Sequence, residues 1–298
     1  MTSTASEQLE ERSWWRSIYD VNFEPMPTYK NRPPLPEQTP VWRYLNLSGV
    51  IATVKTRKLR LTRLDTFRDR FEGSVPKKQM EVQDVLFMGA GSRRQMMNSV
   101  SRHYPGMART PPPDEDSWAR ITRLRRAQTR SAHASCWSHG EESEALWRLY
   151  CGDDSCPGVG VALQTTLARL EQSVTNHDLY VSPIKYVVYH EASPFTDEMD
   201  ALLHKRHGFA TERELRLLKF DKPHYDALVP KDASLPELDR HVYLDWVLSE
   251  VIDEIIISPY ADVNYEDLVR HAIKAADSGL ADRVKLSVLH ERRYAPGF

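Results

Sequence analysis

Apolar and polar positions alternate most cleanly over residues 211–220. Leu215 and Leu217 fall on one side of an extended chain there, and Glu212, Glu214 and Arg216 on the other. The spacing predicts a strand with one apolar and one charged face. Such a row of charge either faces water, as most charged residues do, or lines a site. Alternating or β-branched stretches predict further strands at residues 41–47, 58–64, 132–138, 158–164, 182–190, 254–258 and 284–289. Helical spacing and capping residues predict helices at 5–20, 47–56, 76–103, 114–130, 143–151, 166–172, 195–207, 243–253 and 264–276. Residues 221–243, with three prolines and mixed charge, read as a loop.

Strands and helices do not alternate in regular βαβ order, so the expectation is an α+β fold. Its core would be a compact mixed or antiparallel sheet with flanking helices and a helical insertion at about residues 76–130. Residues 1–40 stand apart as an N-terminal helix and a Pro-rich arm containing Pro25, Pro27, Pro33, Pro34, Pro36 and Pro40. Residues 41–298 would form a single domain.

Composition narrows this picture. A chain of 298 residues with 41% hydrophobic content can build a substantial core. A net charge of −2 argues against a protein that coats DNA in bulk. One local cluster, Arg120, Arg123, Arg125, Arg126 and Arg130, is either a solvated helix face or a nucleic-acid footprint. Cys136, Cys151 and Cys156 form no Cys-x-x-Cys pair, which argues against a disulfide framework and a structural zinc site. His204 and His207 are three apart but have no evident third ligand, so no metal is expected. The N-terminus lacks a secretory signal pattern, and no apolar run approaches the ~18 residues of a membrane span. The expectation is a cytoplasmic protein with no membrane partner.

Several constellations could carry chemistry. On a strand, Arg43 shares a side with Val41 and Leu45, so it either pairs structurally or grips a carboxylate or phosphate. Thr62 and Arg63 close a strand, where side chains can meet a ligand, although a charged connecting loop explains them as well. Ser135 and Ser138 flank Cys136, which has no evident base beside it and reads as a small buried hydrophobe. Ser143 is placed to cap a helix in which Leu146, Trp147 and Tyr150 fall at packing positions. Gly158-Val159-Gly160 lacks the rest of a dinucleotide loop and reads as buried strand.

An ordered set of motifs goes further. It runs Trp42-Arg43-Tyr44, Phe71-Glu72-Gly73, Ser135-Cys136-Trp137-Ser138, Leu146-Trp147-Arg148-Leu149-Tyr150, Gly158-Val159-Gly160-Val161, Glu212-Arg213-Glu214-Leu215-Arg216 and Glu254-Ile255-Ile256-Ile257-Ser258-Pro259. This set resembles the bacterial family known as domain of unknown function 2971 (DUF2971). It departs from the family at Arg68-Asp69-Arg70, where Asn-Asp-Pro is common, and at Leu146, where Met is usual. The order of a basic early strand, a hydroxyl-bearing middle strand and a late Glu-x-Glu strand also resembles ADP-ribosyltransferase-like folds. That resemblance implies NAD as substrate and an acceptor that is nucleic acid or protein, the activity of a toxin or phage-defence effector. It assigns Glu214 the catalytic position and Glu212 acceptor choice. Arg43 would hold ribose or phosphate, and Ser135 or Ser138 the middle position. Tyr44 or Trp147 would stack on nicotinamide, with Thr62 and Arg63 completing the cofactor-binding set. The alternatives are a nucleic-acid-binding or nuclease-type defence component and a non-catalytic interaction module.

Overall fold

The computed structural model describes residues 35–69, 71–74, 117–152, 156–190, 198–228 and 237–290. The helices expected at 5–20 and 76–103 and most of the Pro-rich arm lie outside them. In chain order the described elements are β1 (Pro40–Leu45), α1 (Leu47–Thr56), β2 (Lys58–Arg63), α2 (Ser117–Arg130), β3 (Ala132–His139), α3 (Glu144–Tyr150), β4 (Val161–Thr166) and α4 (Leu167–Val174). There follow β5 (Tyr180–Pro183), β6 (Lys185–Val187), β7 (His204–Arg206), β8 (Glu214–Phe220), α5 (Lys222–Leu228), β9 (His241–Asp245), α6 (Leu248–Val251), β10 (Glu254–Ile257), α7 (Val263–Ala276) and β11 (Val284–Leu286). The architecture is mixed α and β, built on a mostly antiparallel sheet. No described helix is long and apolar enough to cross a membrane.

Nine strands make the main sheet, in the order β11-β10-β4-β1-β3-β2-β9, with β8 and then β5 added beside β3. Strand β3 is the junction. One edge pairs with β8 from Ala132↔Phe220 to Ser138↔Glu214. The other edge is shared: Ser138 and His139 pair with Trp42 and Val41 of β1, and His133 and Ala134 pair with Arg63 and Thr62 of β2. The sheet therefore forks, with β1 and β2 leaving the same edge of β3. Helix α1 connects the two prongs, started by the Asn46 side chain accepting from Gly49 N at 2.9 Å and stopped by Arg57 in the left-handed region at φ 51°.

The two faces of this sheet differ in what covers them. On one, Val41, Leu59, Leu61, Trp137, Leu163, Leu215, Leu217, Ile255 and Ile257 pack against Val50, Val54, Leu170, Val251, Val269 and Ile273 from the helices. Each aliphatic side chain fully buried in this way contributes about 1.5–3 kcal/mol. On the other face lie two smaller clusters. Tyr44, Ala162 and Ile256 meet Leu146 and Trp147 of α3. Ala132, Ala134 and Leu218 meet Leu64, Ile184, Met199, Leu202 and Leu203. Between them, β3 and β8 present polar and charged side chains.

Several expected elements need correction. Of the helix expected at 195–207, the described residues 198–207 form instead a short 3-10 turn, Glu198–Leu202, followed by β7, which pairs in parallel with β6. Residues 182–190 are not one strand but the end of β5 and then β6, in two different sheets. Pro183 has no N–H to extend the ladder, and the next residue, Ile184, donates its N–H to Glu214 O at 2.8 Å. The loop expected over 221–243 contains α5, whose Pro223 sits in the first turn, where its missing N–H costs little. The helix expected at 243–253 is largely β9 and the short α6, because β9 is needed to pair with β2 at the sheet edge. Gly158 and Gly160 precede β4 rather than joining it. Gly158 has φ +85°, and a Cβ there would meet the Tyr260 ring at 2.6 Å.

Candidate functional site

Directly opposed residues of antiparallel strands share a face. The register Trp42↔Ser138↔Glu214 and the pair Cys136↔Arg216 therefore put Trp42, Tyr44, Cys136, Ser138, Glu214 and Arg216 on the face away from the main core. Glu212 does not belong to the strand. It ends a 3-10 turn, His207–Glu212, and the chain swings into β8 through Arg213 at φ 42°. A left-handed non-glycine residue costs about 1–2 kcal/mol, and the Arg213 guanidinium offsets part of that by donating to Glu141 O at 2.8 Å.

What unites Glu212 and Glu214 is Lys205, from β7. Its Nζ lies 2.6 Å from Glu212 Oε2 and 3.2 Å from Glu214 Oε2. Arg216 completes the cluster: Nε bonds Glu214 Oε1 at 2.7 Å, and Nη1 bonds Glu72 Oε1 at 2.6 Å and Leu202 O at 2.5 Å. The charged row is thus buried, with Glu212 5%, Glu214 3% and Arg216 0% exposed. Burial alone would push the Glu214 carboxyl up, but the charges of Arg216 and Lys205 outweigh it and hold it at about 2. Burial likewise opposes the Lys205 and Arg216 charges, and the facing carboxylates raise both cations nonetheless. Burial pushes Glu72 up, and Glu214's charge adds to the shift against the pull of Arg216. The Cys136 thiol is also driven well up by burial and by Glu214, so it stays protonated and is no nucleophile.

A small, partly open cleft lies over this cluster. Glu212, Glu214, Cys136 and Ser138 line one part, and Trp42, Tyr44, Trp137, Leu146 and Tyr150 the rest. The aromatic side is fixed in place. Trp42 Nε1 donates to Gly140 O at 2.8 Å, and the Tyr44 hydroxyl accepts from Ser143 N at 3.0 Å. The Trp42 and Tyr44 rings stack at 6.3 Å, and Trp147 meets Tyr44 edge-on at 4.9 Å. Ser143 occupies the N-cap position of α3 without a side-chain cap bond. Tyr150 stands at the rim, and burial and the neighbouring Glu212 charge raise its phenol. The Ser138 hydroxyl is buried and has no hydrogen-bond partner among the described residues.

Of the residues expected at a site, Glu214, Glu212, Ser138 and Tyr44 come together here. The others do not line the cleft. Arg43 lies on the opposite face with Val41. Its Nη2 reaches Arg60 O at 3.3 Å, its guanidinium stands 5.8 Å from the Trp137 ring centre, and burial lowers it to about 10. Thr62 Oγ1 lies 3.2 Å from His241 Nδ1. Arg63 pairs with Asp65 at 2.7 Å, with Glu237 and with Leu238 O. Ser135 is buried on the main-core face opposite Leu217. Trp147 is fully buried and donates to Glu142 at 2.7 Å, behind Tyr44. In the basic cluster, Arg125 donates to Glu72 O at 3.1 Å and Arg130 pairs with Glu237. His204 sits on β7, not on a helix beside His207, with Nδ1 2.5 Å from Asp200 O. Among the described residues no group of three acidic, Cys or His side chains is arranged to hold a metal ion.

Sequence reasoning missed Lys205, Trp42, Tyr150 and the role of Glu72. A signal existed for Glu72 in Phe71-Glu72-Gly73. Gly73 has φ +68°, and a Cβ there would meet Thr129 Cγ2 at 2.4 Å, so glycine lets this turn close on α2 and send Glu72 toward Arg216. No family model, no curated protein and no solved structure matches this chain.

Proposed function

We propose that this chain is an ADP-ribosyltransferase-like enzyme that cleaves NAD in this cleft and passes the ADP-ribosyl group to a nucleic-acid or protein acceptor. The observation that carries the reading is Glu214, a carboxylate held at about 2 on a cleft wall faced by aromatic rings. In the reaction the ribose C1′–N bond breaks and its electron pair goes to the nicotinamide nitrogen, which becomes neutral. Positive charge builds on the ribosyl carbon, as in glycoside hydrolysis. A fixed carboxylate stabilises that charge more than it stabilises the ground state. The acceptor, or water, then adds at C1′ and loses a proton to solvent. Glu214 is too weak a base at about 2 to take that proton, so its role is electrostatic.

Trp42, Tyr44 and Tyr150 offer ring surfaces for nicotinamide, while Ser138 and Glu212 offer polar contacts for the ribose hydroxyls. Arg43 takes no part in this arrangement, since it lies across the sheet. The resemblance to ADP-ribosyltransferase-like folds supplies the setting, that of a toxin or phage-defence effector. The test is release of nicotinamide from NAD by purified protein, with water, RNA, DNA and protein offered as acceptors. Glu214→Gln is expected to lower the rate about 100-fold or more while circular dichroism stays native. Wild-type protein that releases no nicotinamide, or a variant that keeps its rate, sinks the reading.

A further inference from the structure

We propose that the face of β2 and β9 turned away from the main core is a binding platform for a single-stranded polynucleotide. This surface lies outside the cleft, and the inference does not rest on NAD chemistry. Strand register defines the face. Lys58 pairs with Asp245, Arg60 with Tyr243 and Thr62 with His241, and directly opposed residues point the same way. Leu59 and Leu61, which alternate with them along β2, are in the main core, so these six side chains point away from it. Strand β9 ends the sheet, so the platform is open on that side.

Rings and charges on this face match one kind of partner. Tyr243 is 52% exposed, and Arg60 beside it is exposed too. The Tyr243 and His241 ring centres lie 6.3 Å apart. Thr62 Oγ1, 3.2 Å from His241 Nδ1, fixes the second ring in advance of any ligand. Asp245 is answered by Lys58 at 3.7 Å, which leaves Arg60 as the surplus charge of the face. Arg240, exposed just before β9, adds another. Burial lowers the His241 ring, and the charges of Arg60, Arg240 and His133 lower it further. His241 therefore offers a neutral ring within a positive field. Rings flanked by guanidinium groups fit a chain that carries both unpaired bases and phosphates: bases stack on the rings, and phosphates meet the guanidinium groups. A duplex hides its base faces, and an acidic protein has no bases to stack. The basic run on α2 is the weaker candidate, since Arg125 donates to Glu72 O and Arg130 pairs with Glu237.

The test is fluorescence anisotropy of labelled single strands of about 12 nucleotides, ribo and deoxyribo, titrated with the full chain. At least one should bind, with affinity falling as salt rises from about 50 to 200 mM. Tyr243→Leu should weaken binding about tenfold. Arg60→Gln combined with Arg240→Gln should flatten the log–log salt slope by about 1.4, two phosphate contacts at about 0.7 each. All three positions are exposed, so circular dichroism should stay native. Arg126→Gln, at an exposed position of α2, should leave affinity unchanged. Binding of neither strand, equal binding of a duplex of the same sequence or of poly-glutamate, an unaltered affinity in Tyr243→Leu, or a loss confined to Arg126→Gln overturns the proposal. Nicotinamide release plays no part in this readout, so its outcome is separable from that of the enzymatic reading.

Discussion

Two buried arginines stand on opposite faces of one sheet, and their surroundings drive them in opposite directions. Arg216, on β8, faces Glu214 and Glu72 and is raised well above its ordinary value despite complete burial. Arg43, on β1, has a backbone carbonyl at 3.3 Å and an aromatic ring, and burial lowers it to about 10. The sequence marks them differently: Arg43 shares its side of a strand with Val41 and Leu45, and Arg216 shares its side with Glu214. Only one belongs to a charged network that opens on a cleft. Burial of a charge does not mark a site; the partners that neutralise it do.

The largest effect should come from removing the paired arginine. Arg216→Met leaves Glu214 and Glu72 buried without their shared cation and should cost about 3–5 kcal/mol in urea denaturation. The next effect is on acid stability. Glu214 has a folded value of about 2, below its unfolded one, so its contribution is fully present above the unfolded range and disappears as pH falls from about 5 toward 2. The full contribution is about 3 kcal/mol. Glu72 works in the opposite sense, because its raised carboxyl lets the folded state take up a proton first. The stability gap between wild type and Glu214→Gln, followed by urea midpoints at pH 6, 4 and 3, should therefore shrink with acid. A gap that stays constant would mean that Glu214 is not held ionised. The smallest effect is on the other face: Arg43→Met, which removes a buried charge with no carboxylate partner among the described residues, should change stability by about 1 kcal/mol or less. A loss equal to that of Arg216→Met would erase the contrast.

Local chemistry made much of the fold legible. The alternation Val41, Arg43, Leu45 placed β1, and the pattern over 47–56 placed α1 on the residues expected. The same alternation correctly put Glu214 and Arg216 on one side of β8. It could not say which side of β1 would join them. That depends on register between strands, and a slip of one residue would have brought Arg43 to Glu214 in place of Trp42. Lys205 escaped notice because β7 is only three residues long and exists through its pairing with β6. Glu72 lies 144 residues from Arg216, a distance that no periodicity spans.

The fork at β3 has a mechanical consequence. Trp42 and Tyr44 of the aromatic wall ride on β1 and Glu214 rides on β8, and β3 is the strand hydrogen-bonded to both. Neither wall can slide past the other without breaking the ladder at the centre of the sheet. The cleft's two sides must therefore separate only in openings that approach global unfolding, so amide protons on β3 should exchange among the slowest in the protein.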